Sequence, residues 1–314
     1  MKQMIHRLCS IVLFIVLLAP AASAQNNDGV LRILAIGNSF SNDATEYLPA
    51  LLGNMDVKDV EVARLYVGGC SLQRHMEFYN KEEAAYQFYT SKAGVNKWEK
   101  AEELVTLQYA LQLGEWDIIT MQQASGDSGI YDSYKTYLPQ LIAAVKKAQP
   151  NARLAWHMTW SYSNDSNHNH YPRYNNDQMQ MYNAICDCLQ RLQADNAEID
   201  IIIPSGSMIQ SLRNSAINNS PTDLTRDGYH MGHGAGRYAL ACLWYETLIE
   251  PFTKRSMKGN TLRISKGLVA VSDITAAYCQ IAATEALRKP MQLFSIKGAE
   301  KLASKFSDDV DIIK

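Results

Sequence analysis

Ser39, Asp227 and His230 are the residues of this 314-residue chain whose types and spacing could do chemistry. An Asp three positions before a His on one turn can accept from the imidazole Nδ1–H, fix the tautomer and leave Nε2 facing a serine. The chain carries that arrangement as Asp227-Gly228-Tyr229-His230, and a serine suited to meet it stands far upstream in Gly37-Asn38-Ser39. Nucleophile, orienting acid and base together equip a protein for acyl transfer through a covalent acyl-enzyme. Each residue also has a bland reading: Ser39 as a capped turn, Asp227 as an N-cap, His230 as a buried histidine. Their joint presence favours catalysis.

The elements that must position Ser39 are legible. Leu31–Ile36 reads as a buried parallel strand and Ser41–Glu46 as a helix start. A serine on so sharp a turn has its hydroxyl exposed at the carboxyl edge of a sheet, where open α/β folds bind ligands. The helix start also offers backbone N–H groups to a developing anion. Gly126-Asp127-Ser128 is a competing motif, but it lies in a polar loop with no helix beginning at the serine. A Gly-x-Ser-x-Gly elbow is absent from the sequence.

Strands and helices alternate beyond that point, the pattern of a parallel sheet covered on both faces. Further strands are expected at Val60–Tyr66, Asp117–Met121, Arg153–Thr159 and Ile199–Pro204. Helices are expected around Thr45–Leu52, from Tyr134 to Lys147, from about Asp177 to Ala194, and after His230. Residues 75–115 fit the alternation poorly and are rich in aromatics, with Lys92–Asn96 as a turn between two short strands. They read as an insertion beside the active edge, either a satellite hydrophobic cluster or part of a substrate cleft. After about residue 251 comes an extension with a helix at Ile274–Leu287 and a strand-like segment near Gln292–Ile296.

Gly37-Asn38-Ser39 near the start, with Asp227-x-x-His230 near the end, resembles the SGNH (GDSL-like) hydrolases. Within them the chain is similar to an exported bacterial branch opening with Gly-Asn-Ser-Phe-Ser, and the resemblance covers roughly Leu31 to Glu250. It implies a three-layer α/β/α sandwich with a flavodoxin-like parallel sheet, in one domain spanning residues 25–314. It also implies a serine esterase with Ser39 as nucleophile, His230 as base and Asp227 as orienting acid. Its oxyanion hole would combine the N–H groups of Ser39 and Gly69 with a side-chain amide. Val67-Gly68-Gly69-Cys70-Ser71 looks like the family's second block. Two departures stand out. The usual Asp of the first block is Asn38, a turn-bonding position. The usual Gly-x-Asn-Asp of the third block is replaced by Gln122-Gln123-Ala124-Ser125, so Gln122 is the expected amide donor and Gln123 the reserve. Neither metal nor cofactor is implied. Similar exported enzymes remove acetyl groups from polysaccharides, so a small-molecule or polysaccharide ester is the expected substrate. A lipase or thioesterase, or a non-catalytic glycan-binding protein on a hydrolase fold, remain the rivals.

The ends and the composition set the setting. Lys2, His6 and Arg7 precede the apolar run Leu8–Leu18, and Ala22-Ser23-Ala24 offers a signal cleavage site, so residues 1–24 read as a signal peptide. The expected location is therefore periplasmic or secreted. Cleavage removes Lys2 and Arg7 and leaves 28 basic against 32 acidic residues, a net charge of −4. That balance argues against a nucleic-acid partner. No later segment approaches the roughly 20 apolar residues of a membrane span, so no stable membrane insertion is expected. Cys70, Cys186, Cys188, Cys242 and Cys279 have no metal-site spacing and read as small apolar fillers, with one disulfide conceivable after export. His168 and His170, with His157 and His233, suggest a metal site, but the spacing matches no zinc pattern and a polar loop over the active edge fits better. Trp160 and His170 are the candidate substrate contacts: a flat aromatic surface beside the site suits sugar rings, and Trp156 and Trp160 read equally as core.

Overall fold

The computed structural model describes residues 28–307 and 309–314. Its centre is a seven-stranded sheet: β1 Leu31–Gly37, β2 Val60–Tyr66, β3 Gln87–Ser91, β4 Glu99–Lys100, β5 Ile118–Met121, β6 Arg153–His157 and β7 Ile199–Ile203. The spatial order is β4-β3-β2-β1-β5-β6-β7. The five strands β2-β1-β5-β6-β7 are parallel and follow the flavodoxin-like order. Ile33, Leu34 and Ala35 are wholly buried, because helices cover both faces of the sheet and β1 has no solvent side.

The helices are α1 Ser39–Thr45, α2 Leu48–Asn54, α3 Leu72–Lys81, α4 Leu107–Gln112, α5 Asp132–Lys135, α6 Leu138–Ala148, α7 Gln178–Asp195, α8 Ser205–Arg213, α9 Ala235–Trp244, α10 Glu250–Thr253, α11 Asp273–Arg288 and α12 Ala299–Ala303. Helices α1, α2, α8, α9 and α11 pack against one another as one layer, and α3, α4, α5 and α6 as the other. This is the expected three-layer sandwich.

Several boundaries differ from expectation. The helix expected at Thr45–Leu52 begins later, at Leu48, and is separated from α1, with Pro49 in its first turn, where its missing N–H costs nothing. The long helix from Tyr134 is likewise split before α6, with Pro139 in its first turn. The sheet is mixed, because the 75–115 insertion contributes the antiparallel hairpin β3–β4 to its edge. Its aromatics pack as structure. Trp98 and Tyr89 lie 4.2 and 4.6 Å from the Arg64 guanidinium, and Phe78 meets the buried Tyr86 edge-on. The segment near Gln292–Ile296 forms no strand; a small parallel pair, β8 Leu262–Ile264 with β9 Asp311–Ile313, is found instead. The five cysteines Cys70, Cys186, Cys188, Cys242 and Cys279 are free thiols. The expected signal segment lies outside the described residues, and none of the described helices is long and apolar enough to cross a membrane.

Candidate active site

The chain runs from β1 to β2 on one side and then to β5 on the other, so the carboxyl ends of β1 and β5 flank a topological switch point. Gly37 ends β1 there. A Cβ on it would come within 2.5 Å of Ser41 Oγ and 3.0 Å of Gln122 Oε1, so only glycine fits between them. Asn38 then caps α1: its Oδ1 accepts from Phe40 N–H at 3.0 Å, while its Nδ2 donates to the Cys70 carbonyl at 3.1 Å. That second bond ties the turn after β1 to the turn after β2. Ser39 follows, in the first turn of α1.

Ser39 Oγ lies 2.8 Å from His230 Nε2, and His230 Nδ1 lies 2.7 Å from Asp227 Oδ2. The other Asp227 oxygen accepts the backbone N–H of His230 at 2.8 Å. Burial pushes the Asp227 carboxyl up, but the hydrogen bonds from the His230 ring and backbone outweigh it and hold it below the usual carboxylate range. Asp227 is therefore ionised at neutral pH and able to fix the His230 tautomer with Nδ1 protonated and Nε2 free to take the serine proton. Three residues separated by up to 191 positions meet with the geometry of an activated nucleophile.

Gly69 sits in an exposed turn with φ +59°, a backbone conformation that favours glycine; a Cβ there would meet nothing within 4 Å, so the backbone and not space demands it. Gln122 is placed differently from expectation. It is 1% exposed, with its Nε2 donating to Asn38 Oδ1 at 2.8 Å and its Oε1 3.1 Å from His157 Nδ1. The polarity of this chain of bonds is fixed from the backbone outward. Phe40 N–H makes the facing Asn38 atom the oxygen, so Gln122 presents nitrogen to Asn38 and oxygen to His157. His157 must then carry its proton on Nδ1, and its Nε2 accepts from Ser205 Oγ at 3.0 Å. Burial pushes the His157 imidazole down to about 3, which keeps it neutral. One amide proton of Gln122 is thus spent holding the turn that carries Ser39.

Gln123, the reserve donor, is committed elsewhere. Its Oε1 accepts from the N–H groups of Leu72 and Ala124, and its Nε2 donates to Ser133. Trp160 needs correction as a substrate contact. It has no exposed surface, stacks on Phe40 at 4.2 Å and donates its indole N–H to the Tyr229 carbonyl at 2.7 Å, so it supports the site from beneath. Ser128 is buried in a 3-10 turn with its hydroxyl on the Ser125 carbonyl at 2.7 Å, which removes it as a nucleophile. His170 is half-buried beside His168, whose ring lies 4.8 Å from Tyr229; Tyr229 in turn lies 4.3 Å from His230. These rings form a polar-aromatic rim leading to the base. Among the described residues no group of three or more His, Cys, Asp or Glu is arranged to hold a metal ion.

Sequence reasoning missed Asp43. Buried on α1, it accepts from Arg226, Arg237 and the backbone N–H of Met231. The available signal was an Asp four residues after Ser39, on the same helix face, and an Arg directly before Asp227.

The family described as a domain of unknown function, DUF4886, matches residues 32–279. The chain belongs to that family. A DUF4886 family protein from Bacteroides uniformis, solved in the crystal, is 34% identical with a TM-score of 0.75, over 85% of this chain and 98% of that one. Weaker likenesses lead to a structure described as a putative SGNH hydrolase from Slackia heliotrinireducens (21% identity, TM-score 0.47, 69% of this chain and 98% of that one). They also lead to an acetyl xylan esterase (12% identity, TM-score 0.42, 69% of this chain and 99% of that one). No curated protein matches the chain.

Proposed function

We propose that this DUF4886 protein is an exported serine esterase that removes O-acetyl groups from carbohydrate. The observation carrying the reading is the pair of short contacts, Ser39 to His230 at 2.8 Å and His230 to Asp227 at 2.7 Å. In the first half-reaction Ser39 Oγ attacks the ester carbonyl and its proton passes to His230 Nε2, while Asp227 stabilises the imidazolium. The carbonyl oxygen becomes an oxyanion that the N–H groups of Ser39 and Gly69 receive, joined by the second amide proton of Gln122. The C–O bond breaks, the sugar hydroxyl leaves with the proton from His230, and acetyl stays on Ser39. Water then adds to the acyl-enzyme, giving up its proton to His230, and acetate departs as Ser39 regains a proton.

The carbohydrate part rests on the rim. Tyr229, His168 and His170 are half-buried rings with polar tips beside the base, a surface that can stack on a sugar face and bond its hydroxyls. Export rests on the signal-like leader. The test is an acetate-release screen over acetylated polysaccharides, run beside p-nitrophenyl esters of two to twelve carbons with Ser39→Ala as control. Acetate release together with a two-carbon preference supports the proposal. Preference for long acyl chains would make the protein a lipase. Failure to hydrolyse any ester, or to be labelled by a fluorophosphonate, would leave the glycan-binding rival.

A further inference from the structure

We propose that Asp43 is a positioning residue that locks the Asp227–His230 loop onto the nucleophile helix; the inference rests on the esterase reading for its kinetic consequence. Asp43 stands four residues after Ser39 on α1, so both side chains leave the same face of one short helix. Its carboxylate is 1% exposed and receives donors from both flanks of the catalytic loop. Arg226, which immediately precedes Asp227, places one guanidinium nitrogen 3.0 Å from each Asp43 oxygen. Met231, which immediately follows His230, donates its backbone N–H to Asp43 Oδ2 at 2.9 Å. Arg237 on α9 adds its Nε at 2.9 Å and a terminal nitrogen at 2.7 Å.

The loop is closed on itself at the same place. Arg226 N–H donates to the His230 carbonyl at 2.9 Å, and the Arg226 guanidinium also donates to the Met231 carbonyl. Thr225 and Met231 pair as an isolated antiparallel bridge. Residues 225–231 therefore move as one body, and Asp43 is the group that fastens that body to the helix carrying Ser39. The nucleophile-to-base distance is set by a closed circuit: Ser39 to Asp43 along the helix, Asp43 to Met231 and Arg226 across the gap, then His230 back to Ser39. Every group facing the carboxylate is a donor, and two of them are cations. An amide at position 43 would turn its NH2 against a guanidinium or an N–H, so the lock depends on the charge and both oxygens.

The experiment uses the mature chain. Wild type, Asp43→Asn, Arg226→Gln and Arg226→Lys are compared by active-site titration with a fluorophosphonate, p-nitrophenyl acetate kinetics per titrated site, and the 15N signals of the His230 ring. Asp43→Asn is expected to lower kcat per titrated site about 100-fold while KM moves less than twofold, because a misplacement of about an ångström at the reacting centre costs that much. The His230 signals should shift towards mixed tautomers. Arg226→Gln should behave alike, and Arg226→Lys, which keeps a single cationic donor, should recover at least tenfold over Arg226→Gln. A merely structural role would lower the number of titrated sites and leave kcat per site and the His230 signals at wild-type values; that result overturns the proposal. Should Asp43→Asn fail to fold, Arg226→Gln carries the same measurement. If wild type hydrolyses no ester, the esterase reading falls and the lock is judged on the His230 signals alone, unchanged signals refuting it.

Discussion

Acid should destabilise this protein through two buried imidazoles, and the size of the effect follows from where they sit. His75 has no exposed surface; its Nδ1 lies 2.9 Å from Tyr86 Oη and 3.5 Å from Cys70 Sγ, and its Nε2 has no partner. His157 is held between Gln122 and Ser205. Burial pushes each of them down to about 3. In the unfolded chain both return to about 6.5, so between roughly pH 6.5 and 3 the unfolded state holds protons that the folded state does not. Stability therefore rises with pH across that window and is lost as pH falls. Integrated from pH 7.5 to 5.0, each histidine removes about 2 kcal/mol, and the pair about 4, against a total of roughly 5–15 kcal/mol for a domain. Urea unfolding at the two pH values measures the difference directly, and the window stays above most carboxylate titrations. His75→Gln and His157→Gln should each shrink the pH 7.5-to-5.0 difference by about 2 kcal/mol, whatever they do to stability at either pH. His168 and His233, which burial also pushes down, are present in every protein compared and cancel. An undiminished difference in both variants would show that neither imidazole is kept neutral by burial.

Two further outcomes follow from the site. Ser39→Ala should abolish esterase activity and fluorophosphonate labelling with a nearly unchanged Tm, whereas Ser128→Ala should keep full turnover and lose about 1 kcal/mol with its buried hydrogen bond; activity lost with Ser128 and kept without Ser39 would place the nucleophile wrongly. Gln122→Ala should cut kcat by on the order of 10²–10³ with little change in KM, and Gln122→Glu at least as much, because a carboxylate there faces the Asn38 oxygen and the oxyanion. Gln123→Ala should lower Tm and spare kcat, and the reverse pattern for the two glutamines refutes the assignment.

The parallel strands and the three proposed catalytic residues were legible because their signals are local. Leu31–Ile36 is a short unbroken apolar run, and Asp227 and His230 meet within one turn. The helix break at Pro139 is harder to see, since a proline in a first turn and a proline ending a helix look alike until the neighbouring turn is placed. The mixed sheet was not legible either, because the direction in which β3 joins β2 is a tertiary choice. Trp160 could not be decided from its type, which suits a sugar and a core alike; stacking on Phe40 and a bond to the Tyr229 carbonyl take both its face and its N–H and make it core. Gln122 and Asp43 were the deeper gaps. The partners that define them lie 84 and 183 positions away, and nothing in a spacing pattern announces a partner at that range.

Asn38 and Gln122 make physical sense only as a pair. Asn38 is buried, so its amide must find both an acceptor and donors, where an Asp would present only oxygens. Nδ2 meets the Cys70 carbonyl, which couples the nucleophile turn to the Gly69 turn. Oδ1 takes the Phe40 N–H and has room for a second donor, and Gln122 Nε2 supplies it. A glutamine at position 122 is long enough to reach back to the cap from the end of β5 while its oxygen meets His157. His157 has to stay neutral to donate to that oxygen and accept from Ser205 at once. The amide at position 38 and the amide at position 122 are therefore two halves of one arrangement. Changing either alone leaves a buried donor or acceptor unmade beside Ser39.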